Sequence, residues 1–268
     1  MSSPDSAGLR DLALTAAREA GELVLRLRAE VVEVAGTKSS DTDVVTLADQ
    51  RAEALVKGRL LDARPHDGLV GEEGARRAGT SGVDWLIDPL DGTVNYLYGL
   101  GGWAVSVAAT VEGTPVAGVV HIPSLGETFA ATSGGGATCN GEPLRLGNGP
   151  KLEQALVATG FGYAAGRREH QAAVLARVLP AIRDIRRQGA CAVDLCMVAA
   201  GRVDAYFERG VQPWDHAAGG LVATEAGARF GGLHGAPASD RFAMAAPDNL
   251  FGPLHDLLVA AGADDPAG

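Results

Sequence analysis

Cysteine, aromatic side chains and positive charge are all in short supply in this chain of 268 residues. The three cysteines, Cys139, Cys191 and Cys196, are odd in number and carry no CxxC spacing. That excludes a disulfide framework or thiolate zinc site and leaves reduced, packed thiols. No apolar run approaches the roughly 18 residues that a membrane-spanning helix requires. The N-terminal stretch contains acids and no apolar h-region, so no secretory signal is read and the expected location is cytoplasmic, away from membranes. Lys and Arg number 23 against 33 Asp and Glu, a formal net charge of −10. This argues against a nucleic-acid partner, because a phosphate backbone requires clustered Lys and Arg. It also sets a question. An acidic protein binds an anion only through local cations, helix N-termini or metals.

What is present is a mixed α and β pattern. Leu9, Leu12, Ala16, Leu23 and Leu27 recur at helical spacing, which predicts an amphipathic helix over 9–28. A polar loop is expected at 36–42, then a helix near 46–62 with Thr46 as its N-cap. GLVGEEG (68–74) reads as a short strand ending in two carboxylates, followed by a polar loop at 75–82. VDWLIDPLDGT (83–93) reads as a buried strand, and 103–113 alternates with the period of a strand. An antiparallel meander follows, with the glycines at 134–136 as a hairpin turn. The second half alternates: a strand at 156–162, a helix near 168–180, a strand around 182–187, an apolar helix at 192–201 and a strand at 204–209. A helix from Pro213 with Gly227 just past its end, a short strand and a C-terminal helix at 248–262 complete it. The expected organisation is one compact unit of two lobes, 1–148 and 149–268.

The chemistry concentrates at strand ends and helix starts: Glu72–Glu73, Asp88 with Asp91, and Asp215. Any one of these acids alone reads as a solvated loop carboxylate. Asp-Pro-Leu-Asp-Gly-Thr is different, because its parts have consistent uses. Pro89 stiffens the backbone between two carboxylates. The Leu90 carbonyl can face the same point as both. Gly92 permits a tight turn that offers its own amide and that of Thr93 to an anion. Oxygen-only donors suit a hard cation, magnesium above zinc or copper. Divalent cations on the acids would answer the charge question by becoming the phosphate receptor.

GEE (71–73 with its glycine), WLIDPLDGTVNY (85–96) and PWDHAAG (213–219) resemble the signature blocks of the inositol monophosphatase family. That family belongs to the lithium-sensitive, magnesium-dependent phosphatases. KSSDTDVVTLAD (38–49) is similar to its N-terminal block, and the likeness spans nearly the whole chain. The resemblance implies an α/β (α+β) fold, the αβαβα five-layered sandwich, usually dimeric. It implies two to three Mg2+ per site, with Glu72, Asp88, the Leu90 carbonyl, Asp91 and Asp215 as ligands. Thr93 and Asp49 match the pair that orients the attacking water, together with Glu72 the implied catalytic residues. Asp91, Gly92, Thr93, Glu208 and Asp215 match the substrate-binding positions. Glu73 lies just outside the ligands, and Lys38 matches a lysine near the metal loop. The implied reaction is hydrolysis of inositol 1-phosphate, a small-molecule phosphate monoester.

The chain departs from the animal pattern at Gln212 and at YAAGRR (163–168), both on the expected sugar side. Those departures leave the alcohol open: histidinol phosphate, a sugar phosphate or a nucleotide are the alternatives. A covalent aspartyl-phosphate route is disfavoured, since both Asp88 and Asp91 are committed to metal. A degenerate, non-enzymatic member is disfavoured because every acidic position is filled. His216 is expected to project away from the metals, Tyr96 and Trp103 to pack, and Arg186–Arg187 to be a structural or interface pair.

Overall fold

A computed structural model of the protein describes residues 5–30, 34–38 and 44–265. The chain opens with helix α1 (Ser6–Ala29), strands β1 (Val34–Thr37) and β2 (Val44–Thr46), and helix α2 (Leu47–Ala63). Strands β3 (Gly68–Gly71), β4 (Arg76–Arg77) and β5 (Val83–Asp91) lead to the one-turn helix α3 (Thr93–Tyr98). The meander is β6 (Ala104–Val111), β7 (Thr114–Ile122), β8 (Glu127–Thr132), β9 (Gly136–Cys139) and β10 (Glu142–Pro143). Then come β11 (Leu156–Thr159), α4 (Ala165–Val178), β12 (Asp184–Arg186), α5 (Cys191–Ala199), β13 (Ala205–Glu208) and α6 (Pro213–Ala226). The last elements are β14 (Arg229–Gly231), β15 (Ala243–Ala246) and α7 (Asp248–Ala260).

Two sheets carry the layers. The first is eight-stranded in the order β10-β9-β8-β7-β6-β5-β3-β4, and the second is five-stranded in the order β12-β11-β13-β15-β14. Strand periodicity assigns each face. Val105, Val107 and Ala109 of β6 pack with α1 and α2, whereas Ala104 and Ala108 join α5 and α6 in a central core. In the second sheet, Tyr206 faces that central core while Ala205 and Phe207 face α4 and α7. The result is the αβαβα sandwich. Small residues let α6 lie close on the first sheet: a Cβ at Gly118 would stand 2.9 Å from the Ala218 Cα. No helix among the described residues is long and apolar enough to cross a membrane.

Three local expectations need correction. The loop at 75–82 contains β4, which pairs antiparallel with β3. Both its residues are exposed, so an edge strand of two arginines leaves no alternation to read. Gly36 and Thr37 belong to β1 rather than to a polar loop, and 39–43 lie outside the described residues. Helix α4 starts at Ala165, before the expected 168, without a side-chain cap to mark it. The aromatic pair packs as expected: Tyr96 and Trp103 meet edge-to-face at 5.4 Å, and the Tyr96 hydroxyl donates to the Val24 carbonyl at 3.1 Å.

Candidate active site

The Asp88-to-Asp91 segment is a bulge, and the bulge is what makes it useful. Asp88 pairs with Ser106 and Asp91 with Ala104, so three steps along β5 oppose two along β6. In a regular strand, residues three apart point to opposite faces. One extra residue restores a common face, and both carboxylates line one cleft of about 490 Å³ with Glu72, Thr93 and Asp215. Gly92 follows in the left-handed region, with φ 88°, and starts α3. A Cβ there would lie 3.1 Å from both the Ala190 Cβ and the Gly102 carbonyl, so bulk is excluded as well.

Two of the acids, Asp215 in the cleft and Asp49 buried behind Thr93, also belong to helix caps. Asp49 is the N3 residue of α2: its Oδ2 accepts from the Thr46 amide at 2.8 Å and the Thr46 hydroxyl at 2.5 Å. Its Oδ1 then accepts from the Thr93 hydroxyl at 2.9 Å. Thr93 Oγ1 also lies 3.0 Å from the Leu90 carbonyl, so that carbonyl is held beside the pair. Asp215 is the N3 residue of α6, and its Oδ2 accepts from the Gln212 amide at 2.6 Å. In both cases the capping box fixes the side chain through one oxygen. Asp91 is tied differently: its Oδ2 accepts from the Ala192 amide of α5 at 2.6 Å, which couples the first sheet to the second half of the chain.

Glu72 and Glu73 sit at the end of β3, and Glu53 shapes their turn. Glu53 accepts from the Glu73 amide at 2.9 Å and the Ala75 amide at 3.0 Å. Sequence reading passed over Glu53. Its signal was an acid in helical step with the buried Val56 and Leu60. Lys38 places its ammonium 2.7 Å from Glu72 and 2.6 Å from Glu73. Burial works against that charge, but the two glutamates outweigh it and hold Lys38 above its ordinary range. Burial raises Glu73 to about 7, against the opposing pull of Lys38.

The remaining acids repel one another. Burial first, then Glu72, Asp91 and Asp215, push Asp88 well above the ordinary carboxylate range. Burial and Asp215 do the same to Asp91, and burial and Glu72 to Asp215. Such a set calls for positive charge, and the Lys38 ammonium already rests against one member. Among the described residues no group of three His, Cys, Asp or Glu forms a ready-made metal cage. The cleft acids and the Leu90 carbonyl offer oxygen donors only, which fits magnesium: it retains several waters and uses a few carboxylates plus substrate phosphate.

Glu208, at the end of β13, lines the same cleft. Burial raises it to about 7, and the Tyr206 hydroxyl, 3.1 Å from its Oε2, pulls the other way. A Cβ at Gly160 would collide with that carboxylate at 2.1 Å. Arg186 and Arg187 part company. Arg186 pairs with Asp184 at 2.7 Å, while Arg187 lines the cleft. His216 turns its ring to Phe230, with centroids 5.9 Å apart.

The chain as a whole has close counterparts. Residues 5–262 match the inositol monophosphatase family. The chain belongs to that family. It is 45% identical over 249 residues to an inositol-1-monophosphatase of Mycobacterium bovis, a match covering 85% of this chain and 86% of that protein. It is 38% identical to a protein of Pasteurella multocida named Nus factor SuhB, over 88% of this chain and 91% of the other. Among solved structures, SuhB of Mycobacterium tuberculosis is 41% identical with a TM-score of 0.84, covering 98% of this chain and 100% of that one. The SuhB extragenic suppressor protein of Bartonella henselae has a TM-score of 0.88 at 34% identity, over 94% and 98% of the two chains. The family is magnesium-dependent, in accord with the oxygen-only donors of this cleft.

Proposed function

We propose that the chain is a magnesium-dependent phosphomonoesterase that hydrolyses inositol 1-phosphate to inositol and phosphate by direct attack of water. The observation that carries the reading is the Thr93–Asp49 hydrogen bond beside the Asp88–Asp91 bulge. The Thr93 hydroxyl donates its hydrogen bond to Asp49, so its oxygen lone pairs are free to accept from a water. That water attacks phosphorus, its proton passes through Thr93 toward Asp49, and the bond from phosphorus to the inositol oxygen breaks as that oxygen takes a proton from a solvent water, giving inositol and phosphate. Burial raises Asp49 above the ordinary carboxylate range, which suits a proton acceptor. The amides of Gly92 and Thr93 cradle the phosphate. Glu208 and Asp91 hold the ring hydroxyls, and Asp215 borders the alcohol.

Glu72, Asp88, the Leu90 carbonyl, Asp91 and Asp215 would hold two to three magnesium ions. When bound, magnesium supplies charge neutralisation, polarisation of the phosphoryl oxygen and a lowered pKa for water. The 45% identity to an inositol-1-monophosphatase supports inositol as the alcohol. Phosphate release from inositol 1-phosphate in magnesium, lost in EDTA and recovered on adding the metal back, is the expected result. A labelled Asp88 adduct in rapid-quench trapping would replace this mechanism with a covalent one. A hundredfold higher kcat/KM for histidinol phosphate would replace the substrate. The resemblance also supports a homodimer, and sedimentation of the purified protein tests it.

A further inference from the structure

The cleft has a second set of charges that hydrolysis of a plain monoester leaves without work. Arg167, Arg187 and Arg209 all line it. They come from three separate elements: the first turn of α4, the loop after β12 and the residue after β13. Arg209 donates to the Asp265 carbonyl at 2.7 Å. Among the described residues none of the three forms an ion pair, in a protein with ten more acids than bases.

Arg167 is the most telling. Its Nε is buried and has no hydrogen-bond partner. Its side chain lies against two glycines: a Cβ at Gly162 would stand 2.4 Å from its Cδ, and one at Gly210 2.2 Å from its Nη1. Glycine at both positions leaves room for this side chain, whose Nε has no acceptor among the described residues. A buried N–H without an acceptor is costly, and a guanidinium matches the two oxygens of a phosphate or carboxylate. Arg187 acts on the Glu208 side, where it counters part of that carboxylate's rise. The strongest influences on Asp88 and Asp91 are instead burial and the other acids.

We infer that this cleft favours phosphate monoesters whose alcohol carries a second anionic group, a phosphoryl or carboxylate, held by Arg167 and Arg187. The inference rests on the phosphatase reading above. There the scissile phosphate is received on the acidic side through magnesium, which leaves the arginines for a different anion. It also disfavours alcohols that carry an ammonium group, such as histidinol, despite Glu208.

Matched ester pairs test it, with kcat/KM measured per phosphate in magnesium. Inositol 1,4-bisphosphate is set against inositol 1-phosphate, and 2-phosphoglycerate against glycerol 2-phosphate. At least one pair is expected to favour the doubly anionic ester by about tenfold, the scale of a charge-assisted hydrogen bond. The first pair reports a second phosphoryl group and the second a carboxylate. In Arg167→Gln, Arg187→Gln and the double variant, the ratio is expected to fall towards one, with Arg167→Lys retaining part of it. Ratios at or below one in both pairs, or a preference that persists in the double variant, would overturn the inference. If no ester releases phosphate, the phosphatase reading has failed, and melting temperature then decides the charge reading. The bisphosphate must raise it more than the monophosphate in the wild type, and no more than the monophosphate in the double variant. Equal rises in the wild type sink it.

Discussion

The acidic and arginine sides of this one cleft are built in contrasting ways. The acids come from short contiguous blocks, and every described one is tied down. Asp49 and Asp215 cap their own helices, Asp91 binds an α5 amide, and Lys38 bridges Glu72 and Glu73. The arginines come from three dispersed segments and lack ion-pair partners among the described residues. On the proposed reading the contrast separates two tasks. Groups that hold metal and water must be placed before substrate arrives, because reorganisation during reaction is costly. Groups that select an alcohol can wait for it, and their unpaired charge becomes binding energy when it comes.

The hardest way to break the acidic side is Asp88→Asn. Loss of one buried ligand is expected to lower kcat/KM by about 10³-fold, since metal stabilisation of the transition state amounts to several kcal/mol. Melting temperature without metal should hold or rise, because one of four repelling carboxylates is gone. Phosphate release and thermal melts check both halves; unchanged activity would refute the metal assignment.

Thr93→Val should cost roughly 10²-fold in kcat, the scale of a positioned proton acceptor. Magnesium should still raise the melting temperature of this variant, and Thr93→Ser should recover most of the rate. Glu53→Gln touches neither metal nor water, yet its oxygens hold the Glu73 and Ala75 amides. About a tenfold loss is expected, read mainly as a higher magnesium concentration for half-maximal activity. A loss in kcat alone, at unchanged magnesium dependence, would contradict that positioning role.

The smallest effect lies away from both sides and separates folding from catalysis in any pH profile. Burial holds His121 below its ordinary value of 6.5. As pH falls below 6.5, the unfolded chain takes up a proton that the folded chain resists, so stability is lost on the acid side and unaffected above it. In urea titrations at pH 5.5 and 7.5, His121→Asn should lose less stability on acidification than the wild type. An equal loss would mean that His121 charges freely in the fold.

Legibility in the sequence follows the same division. Asp-Pro-Leu-Asp-Gly-Thr, Gly-Glu-Glu and Pro-Trp-Asp were readable because each block does its work within a few residues. Most elements were readable from periodicity, except β4, whose two exposed arginines leave no pattern. Glu53 and Arg187 were not readable. Glu53 reaches a turn about 20 residues on, and Arg187 is set apart from its neighbour Arg186 only by where the loop after β12 turns.

By itself, then, the sequence determined the acids and most elements through local motifs and apolar periodicity, and its resemblance to the family implied the layered fold. Tertiary structure decided which acids converge and which cations they answer to. Pairing with β6 puts a bulge between Asp88 and Asp91 that brings them to one face, Thr93 reaches Asp49 from 44 residues away, and packing gathers three distant arginines at one cleft. Those outcomes depend on register and long-range contact, and no stretch of sequence holds both partners of such a contact.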